Sequence, residues 1–267
     1  MNMRRLMNLL AALGLFVVAG ATTVWADAAP GAGIKDSFHD FTAGHPEAST
    51  TDPGANICIF CHVQHRQRAP ATATTRLLWN HKPSALSYSW SDATRTVGGT
   101  LLPTNISTWD GSTKNCLSCH DGTVAVGDVF RTAAFPTTSF TVTGTRITDG
   151  KISASFLLIP NATGDLKGNH PVGIPYPFGG VASTYNGITT GGGVDLTDFV
   201  SAPVNVKLFS DVGGDVVDGG TPGSAGMECA SCHDVHNRHV KEDPLLRDVF
   251  KLASGSPSQV CLDCHNK

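Results

Sequence analysis

Eight cysteines fall into four pairs of identical spacing: Cys58/Cys61, Cys116/Cys119, Cys229/Cys232 and Cys261/Cys264. Each pair is followed at once by a histidine: His62, His120, His233 and His265. No cysteine lies outside this pattern. C-x-x-C-H is the attachment signature of c-type haem. Its two thiols bond to vinyl groups on one edge of the porphyrin, and the adjacent imidazole reaches under the ring to the iron as proximal ligand. Two other chemistries use such residues. Structural zinc takes Cys and His but does not require a histidine directly after every second cysteine. A redox C-x-x-C does not need four copies that consume every cysteine. The spacing therefore predicts four covalently bound haem c groups, with the eight cysteines as attachment points.

The second axial position of each iron decides between an electron carrier, when His or Met fills it, and an enzyme, when it is open. Met1, Met3 and Met7 lie in the N-terminal leader described below, so Met227 is the one methionine left, and it sits two residues before Cys229. Seven histidines remain beside the four proximal ones: His39, His45, His65, His81, His170, His236 and His239. Supply exceeds demand, and no C-x-x-C-K variant occurs, so four bis-histidine, low-spin haems of low potential are expected, and a carrier rather than an enzyme. His65 and His236 stand three residues after His62 and His233. Residues three apart on a helical turn share a face, whereas the two axial ligands of one iron lie on opposite faces of a ring. As ligands, His65 and His236 must each serve an iron other than their neighbour's. His81, in L-L-W-N-H-K-P, and His170, in G-N-H-P-V-G-I-P-Y, complete the expected distal set. His39 is a fifth candidate, and His45 and His239 are expected to face solvent.

The rest of the chain must position these motifs. Of its 267 residues, 29 are Gly and 15 Pro, which argues against long helices or a large regular sheet. Charged residues make 15%, below the roughly 25% of a typical soluble domain. Lys and Arg number 19 against 22 Asp and Glu, so no basic excess points to nucleic acid. Residues 1–26 read as a secretory signal peptide: Arg4 and Arg5, an apolar run over 9–21, and Val24-Trp25-Ala26 as the cleavage site. An uncleaved N-terminal anchor is the alternative. No later segment is apolar enough to span a bilayer. The product is exported and acidic, in the compartment where c-type haem is attached.

Residues 27–120 hold an N-terminal arm and the first two motifs. Residues 121–226 form an insert rich in Gly, Thr and Val that supplies His170, and 227–267 hold the last two motifs; together 27–267 are expected to form one haem-cored unit. Within the insert, 139–148 and 151–159 flank Asp149-Gly150, a hairpin signal with a type I′ turn. The stretch 191–226 reads as surface loop and short strand. Asp243-Pro244 predicts a short helix over 244–252, and Ser256-Pro257 opens another that carries the last motif.

The motifs I-C-I-F-C-H-V-Q-H, L-L-W-N-H-K-P, C-L-S-C-H-D-G-T-V-A-V-G, G-N-H-P-V-G-I-P-Y, C-A-S-C-H-D-V-H-N and C-L-D-C-H-N-K follow in this order from His39 to the C-terminus. In that order they resemble the OmcE-type tetrahaem outer-surface cytochromes of metal-respiring bacteria, which polymerise into extracellular filaments. The parts at 131–160 and near Gly191 match nothing in that pattern. The resemblance implies a multihaem cytochrome c: mostly irregular coil with short helices and a few short strands or hairpins, wrapped round a continuous chain of four haems. It also implies that His65 ligates a haem of the neighbouring subunit, making a homopolymer at the cell surface that exchanges electrons with partner cytochromes. A monomeric periplasmic shuttle and a small multihaem reductase are the alternatives.

Overall fold

The computed structural model describes residues 33–35, 37–42, 44–52, 55–62, 79–90, 111–130, 139–158, 163–166, 168–177, 181–189, 196–212, 215–236 and 258–266. The leader, His65, His239 and the helix expected over 244–252 lie outside them. Regular elements are short. In chain order they are α1 (Ser112–His120), β1 (Ile147–Thr148), β2 (Lys151–Ile152), β3 (Ile174–Pro175), β4 (Thr184–Tyr185), β5 (Ile188–Thr189), β6 (Phe209–Val212), β7 (Asp215–Asp218), β8 (Ala225–Met227), α2 (Cys229–Cys232) and α3 (Ser258–Leu262). Single 3-10 turns occur at Ala154–Phe156 and Leu196–Asp198. Among the described residues no helix is long and apolar enough to cross a membrane.

Each helix carries an attachment motif. A nine-residue helix is marginal alone, so α1 depends on its ends. At its C-terminus Asp121 N–H bonds to Leu117 O at 3.0 Å, and Gly122, at φ +72°, takes the left-handed conformation that closes a helix. That is why D-G follows this C-x-x-C-H. The last motif is held differently. Asp263, inside C-L-D-C, accepts the backbone N–H groups of Asn205 at 2.9 Å and Val206 at 2.6 Å.

The turn expected at Asp149-Gly150 is present: φ is +51° and +75° at the two central residues, as a type I′ turn requires. Its paired strands are only β1 and β2, much shorter than the flanking segments suggested. A second turn of this kind, Asn186-Gly187 at φ +50° and +71°, joins β4 to β5. The stretch 191–226, expected as surface loop and short strand, instead supplies three of the four strands of the largest sheet, an antiparallel array ordered β3-β8-β6-β7. Strand β8 is buried along its length. Glycine is what allows this, since a Cβ on Gly226 would run into the Tyr185 ring.

Among the described residues apolar side chains gather in three clusters, the second and third joined through Val172. The first holds Phe41, Phe60, Val129 and Phe140, with Phe60 5.1 and 5.2 Å from the Phe41 and Phe140 rings. The second centres on Tyr88, Trp90, Leu117 and Leu166, and the third on Tyr176, Leu208, Met227 and Cys264. The N-terminal arm is clamped from outside by Arg146. Its guanidinium lies 3.8 Å from the Phe38 ring centre and 4.6 Å from that of Phe156, and it pairs with Glu47 at 3.3 Å.

Gly226→Ala should lower stability by about 1–3 kcal/mol, because the buried Tyr185 ring has to move. A thermal denaturation scan against the parent protein measures it; an unchanged midpoint would show that the sheet tolerates a side chain there.

Candidate functional site

All eight cysteines are described, and none forms a disulfide. The second attachment segment, on α1, packs against the third, on α2. The motifs meet in chain order through their sulfurs. The thiols of Cys61 and Cys119 are close enough to act on each other electrostatically, Cys116 and Cys229 are hydrogen-bonded neighbours, and Cys232 acts on Cys264. Burial, then the neighbouring Cys58, pushes the Cys61 thiol up to about 12. Burial, then Cys232, pushes Cys264 up to about 12. Burial also raises Cys119, and at Cys229 the hydrogen bond with Cys116 raises the pKa ahead of burial.

Three of the four motif histidines face a second histidine. The ring centres of His62 and His236 are 6.2 Å apart with planes 17° from parallel. Those of His39 and His120 are 5.9 Å apart at 50°, and those of His170 and His265 are 6.4 Å apart at 62°. A metal–imidazole bond is about 2 Å and the ring centre lies about 1 Å beyond the nitrogen, so two rings sharing one metal stand roughly 6 Å apart. The observed spacings fit one metal atom between each pair. Ordinary ring packing covers the same range, as His62 against Trp79 at 6.0 Å and His39 against Phe41 at 6.4 Å show, so the separation accommodates a shared metal without requiring one. Among the described residues no three His, Cys, Asp or Glu side chains converge as a bare metal ion would need. A C-x-x-C-H segment with a second imidazole beside it is a donor set that fits haem.

The fourth proximal histidine, His233, lies near both His39 and His120 and lowers the pKa of each. Burial first, then His120 and His233, brings His39 from 6.5 to about 4. Its Nδ1 is buried without a hydrogen-bond partner. A buried imidazole kept neutral is in the state that binds a metal.

The structure separates the expected distal residues. His236 and His170 stand opposite motif histidines, and so does His39. His81 does not. It is 1% exposed, its Nδ1 lies 3.1 Å from Ser118 Oγ, and its Nε2 lies 2.9 Å from Ala125 O and 3.3 Å from Cys119 Sγ. With both ring nitrogens engaged by protein, His81 here ties α1 to the loop after it. The neighbours in its motif do similar work. Trp79 packs on the His62 ring at 6.0 Å, and the Asn80 amide donates to Ile59 O at 2.7 Å. His45, expected in solvent, is half-buried beside Phe38, with Nδ1 buried and unpartnered. Met227 is a core residue of β8. Sequence reasoning missed Glu228 and Tyr185, whose hydroxyl donates to that carboxylate at 2.7 Å. The signal available for Tyr185 was the Asn-Gly turn directly after it. The chain matches no protein-family model and no curated protein.

His39→Ala should convert one low-spin centre to high-spin in the electron paramagnetic resonance spectrum of the ferric holo-protein. His81→Ala should lower stability and leave all centres low-spin. The reverse assignment of the two phenotypes would restore His81 as the ligand.

Proposed function

We propose that the chain is an exported tetrahaem c-type cytochrome that transfers electrons through bis-histidine centres and assembles with copies of itself into an extracellular filament. The observation that carries the haem reading is the fourfold C-x-x-C-H motif, which uses every cysteine; three of its histidines have a second imidazole at 5.9, 6.2 and 6.4 Å, a spacing that leaves room for one iron. Bound haem supplies an iron that cycles between ferric and ferrous. The chain's own residues supply the rest. The cysteines fix each ring edge, and His62, His120, His233 and His265 are the proximal ligands. His236 is assigned opposite His62, His39 opposite His120, and His170 opposite His265. Haem held by a motif histidine and a second imidazole would leave no open site for substrate, which favours a carrier over a reductase.

The packing of α1 on α2, which carry the second and third motifs, supports a path for electrons between those two centres.

The filament reading rests on His65 and the resemblance. His65 stands to His62 as His236 stands to His233, and His236 faces the histidine of a different motif. The same geometry sends His65 to an iron other than the one His62 holds. In a homopolymer that iron belongs to the next copy, and a head-to-tail contact repeated without closure gives a fibre. Partner cytochromes would load and unload such a fibre by outer-sphere transfer.

A pyridine haemochrome assay with intact mass should give four haems per chain; fewer would remove the premise. His65→Ala should convert filaments into separate particles that keep all four haems. Wild-type protein that runs as a monomer, with His65 ligated inside its own chain, would replace the filament by a diffusing shuttle.

A further inference from the structure

Glu228 immediately precedes Cys229 and is fully buried. Its Oε2 accepts the Thr113 backbone N–H at 2.8 Å, and its Oε1 accepts the Tyr185 hydroxyl at 2.7 Å. The carboxylate also accepts from the backbone of Ser231 in a capping box. Thr113 returns a bond, its hydroxyl accepting the Cys229 N–H at 2.7 Å. One side chain therefore caps the first turns of both α1 and α2, the helices that carry the second and third attachment motifs. Gly111 clears the space, since a Cβ there would run into the carboxylate.

These named partners are donors, which suits an ionised, acceptor-only carboxylate. A surface Ser, Thr or Asn would cap one helix without the cost of burying a charge. What a buried anion adds is a fixed field. It lies where Cys116 and Cys229 meet, and in a water-poor interior a charge acts on its neighbours more strongly than in solvent.

We propose that Glu228 is a positioning residue and a fixed buried anion, holding the second and third redox centres at one spacing and lowering the potentials of both. The proposal rests on the tetrahaem reading, and the two can fail separately. If wild-type protein lacks four haems, that reading falls first; with four present, the role of Glu228 is tested alone. The test is a potentiometric titration of the four-haem protein with the centres resolved by their spectra.

In Glu228→Gln the shape is kept and the charge removed. Two of the four midpoint potentials should rise and the other two stay in place. In Tyr185→Phe the charge is kept and one donor that offsets it is lost, so the same two potentials should fall. Opposite shifts confined to one pair of centres are a signature that a general loosening of the fold does not produce. Potentials that do not move in either variant, or four that move together, overturn the proposal. If Glu228→Gln does not retain its haems, Tyr185→Phe decides alone: two potentials lowered sustains it, and none moved refutes it.

Discussion

The separation between facing imidazoles is the constraint on which the rest of this structure depends. A gap of roughly 6 Å between ring centres leaves room for one shared metal atom and also lies within the range of ordinary ring contacts. It recurs in three places built from unrelated segments: the arm with α1, the first motif with the end of the third, and the loop before β3 with α3. Holding two rings at such a distance, with only polypeptide around them, needs rigid support on both sides. The short strands, left-handed turns and carboxylate clamps supply it. Asp263 fixes one segment against the 204–206 loop, Arg146 fixes the arm against the hairpin, and Glu228 locks two helices together.

The same constraint accounts for the composition. A chain that wraps flat prosthetic groups needs close approach and frequent reversal of direction more than long elements. Glycine provides both at Gly122, Gly150 and Gly226, each for a separate reason: a helix end, a hairpin turn and a ring stacked against a backbone. On the proposed reading the three apolar clusters are the remainders of a core whose larger part is porphyrin.

Part of this was legible in the sequence and part was not. The C-x-x-C-H series and the Asp149-Gly150 turn are local signals, readable without tertiary structure. The inference that a histidine three residues past a motif serves another centre rests on a helical turn, whereas His233 is extended after α2, so the approach of His236 to His62 comes from tertiary structure. The choice between His39 and His81 is not local either. It turns on a Ser118 hydroxyl 37 residues away and an Ala125 carbonyl 44 residues away that occupy the His81 ring. Glu228 resembled any acid before a cysteine, and its meaning depends on Thr113, 115 residues earlier. Strand β8 was hidden by its glycine, which reads as loop in one dimension and as clearance for Tyr185 in three.

The most direct test is a high-resolution electron microscopy or anomalous diffraction map of the native holo-protein. The account predicts metal density midway between His62 and His236, between His39 and His120, and between His170 and His265, each inside a planar group joined to the adjacent cysteines. Density for His39 turned away from every metal, with His81 released from Ser118 and Ala125 to bind one, would contradict the assignment. The absence of metal between any of the three pairs would contradict the account itself.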